Sequence, residues 1–296
     1  MRVWATAVCA ATAFPCYSWS GLQQAAFVRP LHPRHRSSTR RRALPYRHGY
    51  RNEQLRLAVG RDPLRTKIRI AECSSNPLSR ARDVVFEPAF RNILPPMAAA
   101  GALLGPNLDN YHSAFGVLTY KHPIEIAIAG HLIVTTDWWV PPLFAVAGAG
   151  IGALYIILDS AFETPQAQRE PVWRDVFFSI SLFSFQYYLS GLLRALGCPY
   201  WVLVASLAVI AERVFNVFDS TRAGLWVSLA TAALGPLIEV LLVNLTDLYV
   251  YNSADFFGVD SWIPIVYFCG GPAVGNLARA VYAKVLAEEK KAGGAP

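Results

Sequence analysis

Past residue 83 the chain is a succession of long apolar runs separated by short polar breaks. Residues 138–158 (WWVPPLFAVAGAGIGALYIIL) hold 21 positions without a charge, and 176–193 (VFFSISLFSFQYYLSGLL) hold 18. Residues 198–218 hold 21, with Glu212 and Arg213 near the end. Residues 223–245 hold 23 with Glu239 inside, and 261–283 hold 23 with Arg279 near the end. At 1.5 Å per residue each run is long enough to cross about 30 Å of hydrocarbon as a helix. Period-two alternation is absent, which argues against a β-barrel. The pattern predicts an all-α, polytopic membrane helix bundle.

Two shorter stretches complete the pattern. Residues 93–105 (ILPPMAAAGALLG) reach a spanning length only if extended back to Val84 across Glu87 and Arg91, and they are read as the first of about six transmembrane helices. Residues 123–136 (PIEIAIAGHLIVTT) are read as an interfacial or re-entrant piece, because spanning segments this short are uncommon. Trp138, Trp139 and Trp262 begin spans, where an interfacial aromatic belt is expected. Pro141 and Pro142 start or kink a helix, as do Pro236, Pro264 and Pro272. Gly148 with Gly152, and Gly271 with Gly275, have the small-xxx-small spacing that lets helices approach closely, chiefly inside one bundle.

Charge divides the chain. Of 27 Lys+Arg, 16 precede residue 84, with only 4 of the 20 Asp+Glu; the leader is therefore +12 and the body −5. The basic character belongs to the leader rather than to a folded face, so no nucleic-acid partner is expected. The opening MRVWATAVCAATAF resembles a short secretory signal, and the acid-free, Arg/Ser/Pro-rich stretch after it resembles a transit peptide. Together they match a bipartite presequence, with junction candidates at Ala13-Phe14 and Ala26-Phe27; a basic disordered tail on a membrane protein is the alternative. Residues 1–83 are expected to be a disordered leader, 84–290 the membrane domain and 291–296 a disordered tail. In the body, eight basic residues (Arg169, Arg174, Arg213, Arg222, Arg279, Lys284, Lys290 and Lys291) fall on one side of a six-span topology and only Lys121 and Arg194 on the other. That asymmetry marks the first side as inward.

Polar residues inside the apolar runs are the candidate chemistry. Gln186, Glu239, Asn244 and Asn276 are costly in hydrocarbon, so each is expected to face the bundle interior as an interhelical hydrogen bond or a lipid contact. With Tyr187 they form the candidate lipid-binding set. Asp219 and Arg222 lie in a short inward turn, where Asp219, Ser220 or Thr221 can cap the next helix. With Gly224 they form the candidate partner-docking edge. No HExxH, GxSxG or phosphate-loop motif occurs. Five scattered cysteines form no metal-ligand spacing, so no catalytic set, metal or cofactor is expected.

Three stretches resemble the insulin-induced protein (INSIG) family. They are Trp138-Trp139-Val140-Pro141-Pro142 running through Gly152, Leu154 and Tyr155 to Asp159; Phe218-Asp219-x-x-Arg222-x-Gly224; and Tyr251-x-x-x-Asp255-Phe256 with Ser261-Trp262-x-Pro264 and Phe268-x-Gly270-Gly271-x-x-x-Gly275-Asn276-x-x-Arg279. The resemblance covers roughly residues 84–290. It implies a six-helix, non-enzymatic membrane protein with a central lipid pocket. In animals such proteins retain a sterol-sensing escort in the endoplasmic reticulum and promote sterol-dependent degradation of a reductase. It further implies that Asp219 occupies the family's partner-binding aspartate. The expected function is a membrane regulator or scaffold that binds a sterol or diacyl lipid and docks another polytopic membrane protein. The alternative is a small-molecule or lipid transporter. The leader would place an algal, plastid-type member in a plastid membrane; otherwise the endoplasmic reticulum membrane is expected.

Overall fold

A computed structural model describes residues 76–293. The signal and transit readings lie outside the described residues. Helix α1 (Pro77–Phe86) begins where Asn76 accepts from the backbone of Leu78 at 3.1 Å. This helix runs across residue 83, the expected end of the leader. Glu87 leaves helical geometry and Pro88 restarts the chain as α2 (Pro88–Ala114), with proline at the first position where its missing N–H costs nothing. The expected first span is this helix, and it runs nine residues past the apolar stretch that announced it.

After α2 come strands β1 (Leu118–Tyr120), β2 (Ile124–Ile128) and β3 (His131–Thr136), then α3 (Val140–Ala161), the short α4 (Gln166–Arg169), α5 (Trp173–Ala195), α6 (Tyr200–Phe218) and α7 (Arg222–Leu245). Strand β4 (Tyr249–Tyr251) precedes α8 (Ile263–Gly293). The last helix takes in Lys291 to Gly293, part of the expected tail. Helices α3, α5, α6 and α7 are long and apolar enough to cross a membrane. Their apolar windows are mostly turned out of the bundle: only 11% of the α7 window is buried. In lipid this costs nothing, because acyl chains solvate leucine as well as a core does.

Helix α8 is the axis. It packs against α2, α3, α5, α6 and α7, and nearly every residue from Cys269 to Val281 is buried. A helix surrounded by helices is free to carry polar side chains inward, and that is where Asn276 and Arg279 sit. Gly148 faces Gly101 of α2, and a Cβ there would meet the Met97 carbonyl at 2.6 Å, so the small-residue spacing serves internal packing. Gly271 likewise turns to Ser228 of α7.

The connections on the side expected to face outward form two small antiparallel sheets. β1 pairs with β4 in the register Leu118↔Tyr251 and Tyr120↔Tyr249. β2 pairs with β3 as a hairpin turning through Ala129 and Gly130, both at positive φ. This hairpin is the stretch read as interfacial or re-entrant. It is a paired β-hairpin, and Asn110 of α2 pins it by donating to the Ile133 carbonyl (3.1 Å) and accepting from the Thr135 N–H (2.8 Å). Of the three tryptophans expected in an interfacial belt, Trp138 is 68% exposed, whereas Trp139 (8%) and Trp262 (1%) are core. Trp139 stacks on Tyr249, and Trp262 meets His112 edge to face.

Candidate functional site

At the inward end, three helices are joined by one buried ionic array. Arg279 of α8 makes a two-pronged pair with Asp159 of α3, Nε to Oδ2 and Nη2 to Oδ1, both 2.7 Å. Its Nη1 reaches Asp219 Oδ1 at 3.1 Å. The Tyr155 hydroxyl donates to Asp219 Oδ2 at 2.6 Å, and the guanidinium lies 4.9 Å over the Tyr155 ring. Thr221 completes the array: its hydroxyl donates to Asp219 Oδ1 at 2.6 Å and accepts from Gly224 N and Arg279 Nη2. Thr221 is thus the N-cap of α7, with Asp219 behind it.

Two glycines make room for this array. A Cβ on Gly224 would lie 1.9 Å from the Asp219 carboxylate, and one on Gly275 would lie 2.2 Å from the Tyr155 ring. All the charged members are buried, with Arg279 and Asp219 each about 1% exposed or less at the side chain. A buried charge is tolerated only when paired and hydrogen-bonded; here one guanidinium faces two carboxylates, and Tyr155 and Thr221 donate to the second. Asp219 therefore does not itself present a surface; Arg222, on the same turn, is exposed.

At the outward end, a hollow of about 90 Å³ lies under the β1–β4 sheet, between α2, α3, α7 and α8. Glu239 lines it and accepts from the hydroxyls of Tyr251 and Tyr267. Asp109, also lining it, accepts from Tyr120 at 3.3 Å. Burial, then the Asp109 charge, pushes the Tyr120 hydroxyl well up, and burial does the same to Tyr249, so both remain proton donors. The Trp139 indole N–H has no acceptor among the described residues. A second concavity is an open apolar groove of about 410 Å³ between α6, α7 and α8, walled by Ala208, Ala211, Phe215, Ala232, Pro264 and Phe268, with Glu212 at its edge.

The predicted lipid set is not gathered in one place. Gln186 is fully buried and donates to the Leu207 carbonyl at 2.9 Å, tying α5 to α6; its Oε1 has no partner among the described residues. Tyr187 is buried and stacks on His112, whose Nε2 meets Ser190 at 2.9 Å. Asn276 donates to the Phe218 carbonyl at the end of α6 (2.8 Å). Asn244 is exposed and bonds to the Val240 and Phe257 carbonyls. Only Glu239 of the set lines a hollow. Asp109, Tyr155 and the pairing of Asp159 with Arg279 were missed as a site. The signal available was opposite lone charges at the inward ends of two apolar runs, an arrangement that hydrocarbon tolerates only as a pair.

Comparison with known proteins agrees with this architecture. The family model described as insulin-induced protein (INSIG) matches residues 100–282. The insulin-induced gene 1 protein of Bos taurus is 33% identical over 147 residues, covering 50% of this chain and 52% of that protein. The insulin-induced gene 2 protein of Gallus gallus is 32% identical over 160 residues, covering 53% and 69%. The chain spans about half the length of the gene 1 proteins it matches. The crystal structure of the mycobacterial Insig homolog MvINS from Mycobacterium vanbaalenii superposes with a TM-score of 0.54 at 20% identity, covering 65% of this chain and 95% of that one, a likeness of fold.

Proposed function

The chain belongs to the insulin-induced protein (INSIG) family, and from that premise we propose that it is a membrane regulator without chemistry of its own. It holds a lipid, a sterol or a diacyl lipid, and docks a second polytopic membrane protein. The observation that carries the reading is the open groove between α6, α7 and α8, whose volume of about 410 Å³ and almost wholly apolar wall suit a lipid body. The Glu239 hollow is too small for a whole lipid and suits a hydroxyl or headgroup. In this reading Gln186, Tyr187 and Asn276 act by holding the helices that build these sites, and Asn244 by anchoring the outward loop.

Docking uses the α6–α7 turn. Asp219 acts through it as a positioning residue, fixing the conformation in which Arg222 faces the partner. The membrane is that of the endoplasmic reticulum, or of a plastid if the leader acts as a presequence; imaging a fluorescent fusion of the leader decides between them.

The test is made on purified full-length protein. Extraction and mass spectrometry should find, besides any surface phospholipid, about one lipid per chain. Ala232→Trp, which fills the groove, should expel it while leaving the unfolding midpoint in place. Vesicles carrying the protein should show no lipid or solute flux above empty ones. A strong flux would overturn the regulator reading in favour of a transporter.

A further inference from the structure

The inward face carries another concavity, of about 500 Å³, that shares no lining residue with the groove. It is bounded by α4, the link into α5 and the last turns of α8. Its lining brings the cations Arg169, Lys284 and Lys290 together with apolar Leu286 and Trp173. Glu170 is the one acidic residue lining it.

Three observations bear on what fits there. The first is depth. Helix α8 starts at Ile263, and about 20 residues at 1.5 Å each use up the roughly 30 Å of hydrocarbon near Tyr282. Lys284 and Lys290 then stand in the headgroup layer. Trp173, half exposed at the first position of α5, sits where an interfacial tryptophan belongs. The second is charge. Among the described residues, Arg169 and Lys290 form no ion pair, and Lys284 has only Glu288 at 4.0 Å, both well exposed. Glu289 is turned away to Asn92 at 3.0 Å. The third is the apolar lining. Leu286 and Trp173 offer apolar surface alongside the cations, and exposed Phe177 and Phe178 continue it along α5 into the hydrocarbon zone.

We infer that this concavity is a binding site for an anionic phospholipid, with the phosphate held by Arg169, Lys284 and Lys290 and the start of an acyl chain laid over Leu286 and Trp173. A guanidinium can grip phosphate oxygens in pairs, and lysines add point charge. Basic pockets between helices on the inward leaflet are the usual place for anionic headgroups. A free phosphate would leave the apolar lining unused. The site takes a different lipid at a different place from the proposed groove, so either can fail alone.

Native mass spectrometry on full-length protein in detergent, titrated with dioleoylphosphatidylglycerol or dioleoylphosphatidylcholine, tests it. The phosphatidylglycerol should bind more tightly, and the preference should shrink as salt is raised. Arg169→Ala, Lys284→Ala and Lys290→Ala should each weaken it about five-fold. Arg174→Ala, which removes a cation outside the concavity, should not. All these positions are exposed, so an unchanged unfolding midpoint will certify each variant. Equal binding of the two lipids would overturn the inference. So would full retention of phosphatidylglycerol by a folded triple-alanine variant. Displacement by inorganic phosphate at matched concentration would reassign the site to a free anion. An Arg169-dependent affinity for a polyglutamate peptide, with none for phosphatidylglycerol, would reassign it to an acidic protein segment.

Discussion

Removing the Asp219 carboxylate separates a positioning role from a surface role. Asp219→Ala strips the acceptor from four donors at once: the Tyr155 hydroxyl, the Thr221 hydroxyl and N–H, and Arg279 Nη1. Arg279 keeps its two bonds to Asp159, so the guanidinium is not orphaned. Adding a full penalty for each lost bond would overshoot, because neighbours relax together. Leaving the buried Tyr155 and Thr221 donors without their acceptor costs about 2–3 kcal/mol. For a body of this size that is a fall of about 7 °C in the unfolding midpoint. Asp219→Asn behaves differently. Its amide oxygen still accepts from Tyr155 or Thr221, and one arginine then faces one carboxylate, so the loss is about 1 kcal/mol. Thermal unfolding in detergent, followed by a thiol-reactive dye, reads both. Exposed Asp247→Ala serves as control and should leave the midpoint in place. If Asp219→Ala melts with the parent, or if Asn and Ala are equally harmful, the buried array does not hold the turn.

Three further outcomes follow from the same geometry. Gly275→Ala drives a methyl group into the Tyr155 ring and should cost about 1–3 kcal/mol in unfolding free energy, whereas Gly150→Ala, with open space around it, should be neutral or slightly stabilising by the same assay. Asp260, in the outward loop, has its carboxyl pushed up to about 6 by burial, partly offset by Arg194; a raised folded value means its contribution is full below 3.8 and is lost as pH rises through about 6, so the unfolding midpoint should fall over that window and Asp260→Asn should flatten the fall. Gln186→Leu removes one hydrogen bond together with an unpartnered acceptor, so denaturant titration should show a change within about 1 kcal/mol, with lipid content unchanged.

The spans were legible because a bilayer demands length and hydropathy, and both are local properties. The turn at Asp219 was legible as a cap because capping residues act within three positions. What eluded the sequence was satisfied over long distances. Asp109, Asn110 and His112 read as the end of an apolar run, yet α2 continues through them because Tyr120, the hairpin backbone and Ser190 supply their partners. The hairpin did leave a local signal, since Ile124, Ile126 and Ile128 alternate with Glu125 and Ala127 ahead of Ala129-Gly130, but its shortness between two spans drew the membrane reading instead. Trp139 and Trp262 looked interfacial by position along the chain, but Tyr249 of β4 stacks on Trp139 and His112 of α2 packs on Trp262. Asp219 looked like a contact because its partner Arg279 lies 60 residues away.

The docking turn and the phospholipid pocket both require the α6–α7 turn to lie on the opposite side of the membrane from the α7–α8 connection. Helix α7, 24 residues and about 36 Å long, separates them. In sealed vesicles, with the native cysteines replaced, a membrane-impermeant maleimide should label Arg222→Cys and Asp255→Cys from opposite sides. Labelling of both from the same side would contradict a membrane-spanning α7, and with it the arrangement of both sites.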